Sequence, residues 1–282
     1  MDDREAKIQK LKDYFEKRDD VVMAFLFGSQ GTGRARKNSD WDIAVYFKPI
    51  IHGELEVHRE FPQQSRMWED MECLTETEVD LLVLNRAKPS LVFSVLNSGM
   101  PLAMKDRTLY LHLLVKTHYE AVDFWNFVYD FWKIRERSHS LSVEDRATLI
   151  EHLVFFENEW KDVGVFKQMD WNTYANEQDR SARRNIERWV ENLVMVSLDI
   201  AKIILASESK DVPQTYKEVL RALGGLYLDI SLADEFASFA DLRNLLAHEY
   251  LDYRWEHIRT FISSAEKIYP RIIEKLKVQV ES

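Results

Sequence analysis

One short, continuous apolar run and two mostly apolar runs, each with a single Asp as second residue, lie within the first 84 residues, and from residue 106 onward the pattern is almost wholly helical. The runs are VVMAFLF at 21–27, WDIAVYF at 41–47 and VDLLVL at 79–84. Each is β-branched or aromatic and too short for a buried helix, so each reads as a buried strand. Helical spacing surrounds them: Ile8, Leu11, Tyr14 and Phe15 in 6–17, a charged stretch at 54–70 interrupted by Pro62, and a short segment at 90–96 broken by Gly99-Met100-Pro101. An aromatic-rich helix is expected over 110–137. The polar segment 138–142 then marks a boundary, with Ser142 placed three residues before Asp145 as an N-cap. Beyond it the periodicity predicts helices over 144–160, 180–205, 213–223 (ended by Gly224-Gly225), 232–250 and 254–278. The expected architecture is a small α/β domain over 1–138, a mixed sheet with helices, followed by an all-α bundle over 139–282.

Composition narrows the function classes. The net charge of -10 argues against a broad, sequence-blind grip on nucleic acid, which relies on Lys and Arg neutralising phosphates, while leaving room for a local basic cleft. The single cysteine, Cys73, excludes an internal disulfide and a Cys-based zinc site and fits a reducing cytoplasm. The first 20 residues are charged throughout and no run of about 18 apolar residues occurs, so neither a signal-peptide core nor a membrane helix is expected.

The chemistry-bearing residues fall into two groups. In the first, Gly28-Ser29 closes the first apolar run, and Asp40-Trp41-Asp42 opens the second. Alternate strand residues share a side, so Asp40 and Asp42 project together and repel unless a cation lies between them. Such hard oxygen donors suit Mg²⁺, with Asp80 at the start of the third strand as a natural third ligand. The glycine turn lets backbone N–H groups and the Ser29 hydroxyl approach phosphate oxygens, and Arg34, Arg36 and Lys37 suit a triphosphate.

The stretch FGSQGTGRARKNSDWDIAVYF resembles the core motif of the minimal nucleotidyltransferases of the polymerase-β superfamily. Gly28, Ser29, Gly33, Ser39, Asp40 and Asp42 stand at the family's positions, and Asp80 in VDLLVLN matches its third carboxylate. The resemblance implies Mg²⁺-dependent transfer of a nucleoside monophosphate from a nucleoside triphosphate, with pyrophosphate leaving. Two Mg²⁺ ions are implied, with Asp40 and Asp42 bridging both and Asp80 ligating one while helping to activate the acceptor hydroxyl.

The second group is Arg243-Asn244-x3-His248-x-Tyr250. On a helix Asn244 and His248 lie one turn apart, and Arg243 and Tyr250 share a neighbouring face if the helix continues. An imidazole beside a guanidinium suits acid/base chemistry next to a phosphate. The run DLRNLLAHEYLDY resembles the Arg-x4-His-x-Tyr motif of HEPN domains, in the branch that acts as toxin beside a minimal nucleotidyltransferase antitoxin. That resemblance implies a metal-independent ribonuclease with Arg243 and His248 as catalytic pair and Asn244 in support. It also implies a cleft completed by a homodimer, and silencing by AMP on Tyr250. Here both halves sit on one chain, so modification would run in cis or between copies. Two other readings are an aminoglycoside-type nucleotidyltransferase with a helical accessory domain, which gives the Arg243/His248/Tyr250 set no role, and a catalytically silent helical interaction module.

Overall fold

The computed structural model describes residues 3–31, 40–50, 59–248 and 251–281, with backbone alone at 243–245, 247, 248 and 251–253. The chain forms two compact units, 1–123 and 124–282, which part within one long helix, upstream of the polar segment at 138–142.

The first unit is built on a four-stranded sheet of β1 (Val21–Phe27), β2 (Trp41–Phe47), β3 (Val79–Val83) and β4 (Met100–Met104) in the order β3-β2-β1-β4. β1 runs antiparallel to β2 and β4, and β2 runs parallel to β3. The two central strands are covered on both faces, which is why, apart from Asp42 at the start of β2, they read as apolar runs rather than alternating ones. On one face Leu26, Ile43 and Val45 pack with Ile8, Leu11 and Phe15 of α1 (Asp3–Glu16) and with Met67 and Met71 of α3 (Gln64–Thr75). On the other, Phe25, Ala44 and Tyr46 pack with Val92 and Val95 of α4 (Pro89–Ser98) and with Leu109 and Leu113 of α5 (Arg107–Arg137). A single helical turn, α2 (Gly28–Gly31), follows β1 directly.

Two expectations for this unit need correction. Residues 99–101 do not simply end a helix: Met100 opens β4, a strand the residue pattern did not announce. Its Pro101 lacks an N–H, and the chain accommodates it on an edge strand, opposite Phe25, where the register shifts. The expected 54–70 helix begins only at Gln64, two residues after Pro62, and runs on to Thr75; residues 51–58 lie outside the described ones.

The second unit comprises the end of α5 and α6 (Val143–Trp160), α7 (Val163–Lys167), α8 (Trp171–Tyr174), α9 (Ser181–Ser207), α10 (Tyr216–Tyr227), α11 (Ile230–His248) and α12 (Leu251–Glu281). The amide N–H of Asp145 donates to Ser142 Oγ at 3.1 Å, so the expected N-cap holds. Helix α9 is the spine, with Ile186, Val190, Leu193 and Ile200 wholly buried. The pair Gly224-Gly225 does not end its helix but lies inside α10, which is capped by Thr215 through the Glu218 N–H (3.2 Å). Packing is the reason: a Cβ at Gly224 would stand 3.0 Å from the Ala233 Cα, so the glycine admits α11 at close range. The short helices α7 and α8 were not expected, since four or five residues are too few to display a helical period. No helix among the described residues is long and apolar enough to cross a membrane.

Candidate functional site

The sheet topology gathers the first constellation at one end of β2. Antiparallel pairing sets Asp42 opposite Phe27, the last residue of β1, and parallel pairing sets it opposite Asp80 of β3. Register partners on neighbouring strands share a face, so Asp42 and Asp80 lie on the side of Ala44, Tyr46 and Leu82. Asp40, two residues before Asp42, precedes the strand and is exposed. Trp68 of α3 donates from Nε1 to the Val79 carbonyl at 2.6 Å, tying down the backbone one residue before Asp80. This support was not legible in the sequence, because an indole 11 positions away from its acceptor carries no local signature.

Gly28 completes the enclosure. Its φ of 62° lies in the left-handed region, where a side chain is strained. A Cβ there would meet Asp42 Oδ2 at 2.0 Å and Cγ at 2.7 Å, so the turn presses its backbone against the carboxylate. Arg4 of α1 donates to the Gln30 carbonyl and holds this turn from behind.

The electrostatics follow from that crowding. Burial, then the negative charges of Asp80 and Asp40, push the Asp42 carboxyl above the usual carboxylate range. A cation placed among these oxygens would reverse that penalty, so the donor set fits a hard divalent ion. Among the described residues, no three His, Cys, Asp or Glu side chains are drawn together tightly enough to hold an ion by themselves. Gly33, Arg34, Arg36, Lys37 and Ser39 lie outside the described residues; of the remaining expected set, Gly28 lies against Asp42, Asp42 is in register with Asp80, and Ser29 and Asp40 are the chain neighbours of this pair.

The second constellation sits at the end of α11, which carries Arg243, Asn244 and His248 on one continuous helix. Asn244 and His248 are therefore one turn apart, as expected. Tyr250, and with it the proposed sharing of a face with Arg243, lies outside the described residues.

Next to this end of α11, three residues form a polar cluster that sequence reasoning missed. Arg254 Nη1 donates to Glu187 Oε1 (3.0 Å) and to the Leu246 carbonyl (3.2 Å), and the Tyr174 hydroxyl donates to the same Oε1 (2.6 Å). Separations of 13 and 67 residues hide such a cluster from any local pattern.

Comparison with known proteins agrees with these two halves. Residues 9–108 match the family described as Polymerase beta, Nucleotidyltransferase, and residues 149–276 match the family described as Ribonuclease HepT-like. No curated protein matches the chain. Among solved structures, one described as "Crystal structure of the toxin-antitoxin with AMP-PNP" matches with 22% identity over 44% of this chain and 90% of that chain. Its TM-score of 0.34 is too low to bear on fold or chemistry. Sheet, carboxylates, helical bundle and both family matches agree: the chain is a polymerase-β-type nucleotidyltransferase domain followed, in one polypeptide, by a HepT-like domain of the HEPN class.

Proposed function

We propose that the N-terminal domain transfers AMP from ATP to Tyr250 of the HEPN domain, in cis or between copies of a homodimer, and that this silences a ribonuclease centred on Arg243 and His248. The observation that carries the reading is the pairing of Asp42 with Asp80 beside the left-handed turn at Gly28. A half-buried Asp42 carboxylate that feels the charges of Asp80 and Asp40 is destabilised unless it has a cationic task, and the glycine turn lets the backbone lie directly against it.

In this reading Asp40, Asp42 and Asp80 hold Mg²⁺, which when bound would neutralise the charge developing on the triphosphate. The Gly28-Ser29 turn, with Ser39 and Arg34, orients the phosphates. The Tyr250 oxygen attacks the α-phosphorus, the bond from that phosphorus to the bridging oxygen breaks, and pyrophosphate leaves. A phenol has an unperturbed pKa of about 10 and attacks poorly while protonated, so Asp80 is assigned to accept its proton. The attached AMP adds a bulky phosphodiester with one negative charge two residues from His248. It would both fill the ribonuclease cleft and occupy the Arg243 guanidinium.

The test is intact mass after incubation with ATP and Mg²⁺, followed by tryptic mapping. A gain of one AMP on Tyr250 is expected. An unchanged protein mass together with a modified aminoglycoside would replace this reading by the small-molecule one.

A further inference from the structure

The Arg243–His248 motif ends where α11 ends, and the last four carbonyls of a helix have no partner within it. Leu246 supplies one of these carbonyls, two residues before His248. Arg254, in the first turn of α12, reaches back to it with Nη1 (3.2 Å) while the same nitrogen bonds Glu187 Oε1 of α9 (3.0 Å). A guanidinium at a helix C-terminus also faces the negative end of the helix dipole.

The base of this bridge is firmly held. Glu187 accepts the hydroxyl of Tyr174 at 2.6 Å, and Tyr174 is wholly buried. Burial, and then the Glu187 carboxylate, raise the pKa of that hydroxyl, so it keeps the proton it donates. Trp255 packs against the Tyr174 ring at 4.9 Å and against Trp171 at 6.4 Å, which fixes the turn that carries Arg254. The side chains of Arg254 and Glu187 are only 21% and 19% exposed, so water screens the pair weakly.

We propose that Arg254 is a positioning residue for the Arg243–His248 site, clamping the last turn of α11 onto Glu187 and Tyr174 through the Leu246 carbonyl. Its consequence for RNA cleavage rests on the ribonuclease reading above, whereas the clamp itself does not. Without the clamp the last turn frays, and the α11 backbone no longer holds position 248 one turn beyond position 244. A displacement of about 1 Å at a reacting group costs on the order of 100-fold in rate. Substrate binding, which draws on many contacts, is much less affected.

The test uses the full chain carrying Tyr250→Phe, so that the site is unmodified, with Arg254→Lys, Arg254→Gln or Glu187→Gln added. Hydrogen exchange over residues 244–248 is followed by mass spectrometry, and cleavage is measured with a fluorescent single-stranded RNA of mixed sequence. In Arg254→Gln, exchange over that segment should quicken at least 10-fold, and kcat should fall at least 10-fold with KM within about twofold. Arg254→Lys, which keeps a cation and a donor, should recover part of both. Unchanged exchange in Arg254→Gln overturns the clamp, and faster exchange with unchanged kcat overturns the positioning role. A parent that cleaves no RNA overturns the ribonuclease reading instead, and the exchange measurement then judges the clamp alone. If Arg254→Gln does not fold, Glu187→Gln carries the same comparison, since it removes the charge partner and keeps the shape.

Discussion

Replacing Gly28 by Ala should uncouple the nucleotide site while leaving the sheet assembled. Two costs arise from the geometry. The first is backbone: a φ of 62° places a Cβ against the following carbonyl, a cost of roughly 1–2 kcal/mol. For a unit of this size that corresponds to a loss of roughly 4–8 °C in the melting temperature. The second is local. The new Cβ would stand 2.0 Å from Asp42 Oδ2, 2.7 Å from Cγ and 3.2 Å from Cβ, whereas ordinary contact begins near 3.4 Å. Turning the carboxylate away about χ1 relieves the first two contacts and leaves the third tight, so the oxygen must retreat by about 1.4 Å. At a group that must hold a reacting phosphate in place, about 1 Å costs on the order of 100-fold. The assay is pyrophosphate release together with AMP incorporation by intact mass, beside a thermal melt. A variant that melts a few degrees lower and transfers AMP at least 100-fold more slowly is expected. Transfer within about threefold of the parent would refute the argument that the Gly28 turn and the Asp42 carboxylate form one site.

Three further outcomes follow from the same structure. Asp42→Asn should abolish transfer yet raise the melting temperature of the metal-free protein at neutral pH. The raised Asp42 pKa means that the ionised group opposes folding above that pKa, so the gain should shrink as pH falls through it and also when Mg²⁺ is added; a variant that melts lower at every pH would count against the crowding. Asn85 is wholly buried, its Oδ1 accepting the Phe47 N–H (2.8 Å) and its Nδ2 donating to the Phe47 carbonyl (3.0 Å), so that it continues the pairing of β2 beyond the end of β3. Asn85→Ala orphans both backbone groups and should cost about 2–4 kcal/mol in urea unfolding, a loss below about 1 kcal/mol being inconsistent with this role. Tyr250→Phe should take up no AMP and should raise RNA cleavage in cells, and adding His248→Ala should remove that toxicity; toxicity that persists without His248 would exclude it from the catalytic pair.

The sheet core and the helical half were legible in the residue pattern because their signals are local. β1 and β2 are buried on both faces, so their sequences are apolar throughout apart from Asp42 at the start of β2, and Ser142 caps α6 through a contact only three residues long. The carboxylates could be named from type and spacing for a similar reason, since Asp40 and Asp42 are close in sequence and like charges so close call for a partner. What depended on tertiary structure was pairing at long range. β4 carries a proline that argues against a strand until the fold places it at an edge, and Gly224-Gly225 reads as a helix end until α11 packs against it. Only the register of β2 with β3 sets Asp42 beside Asp80, and only the turn after β1 presses Gly28 against that carboxylate. The bridge from Arg254 to Glu187 and Tyr174 joins α12 to two helices more than 60 residues earlier in the chain. A local pattern records what a residue does for its own element; contacts between elements are decided by which faces the whole chain can bury together.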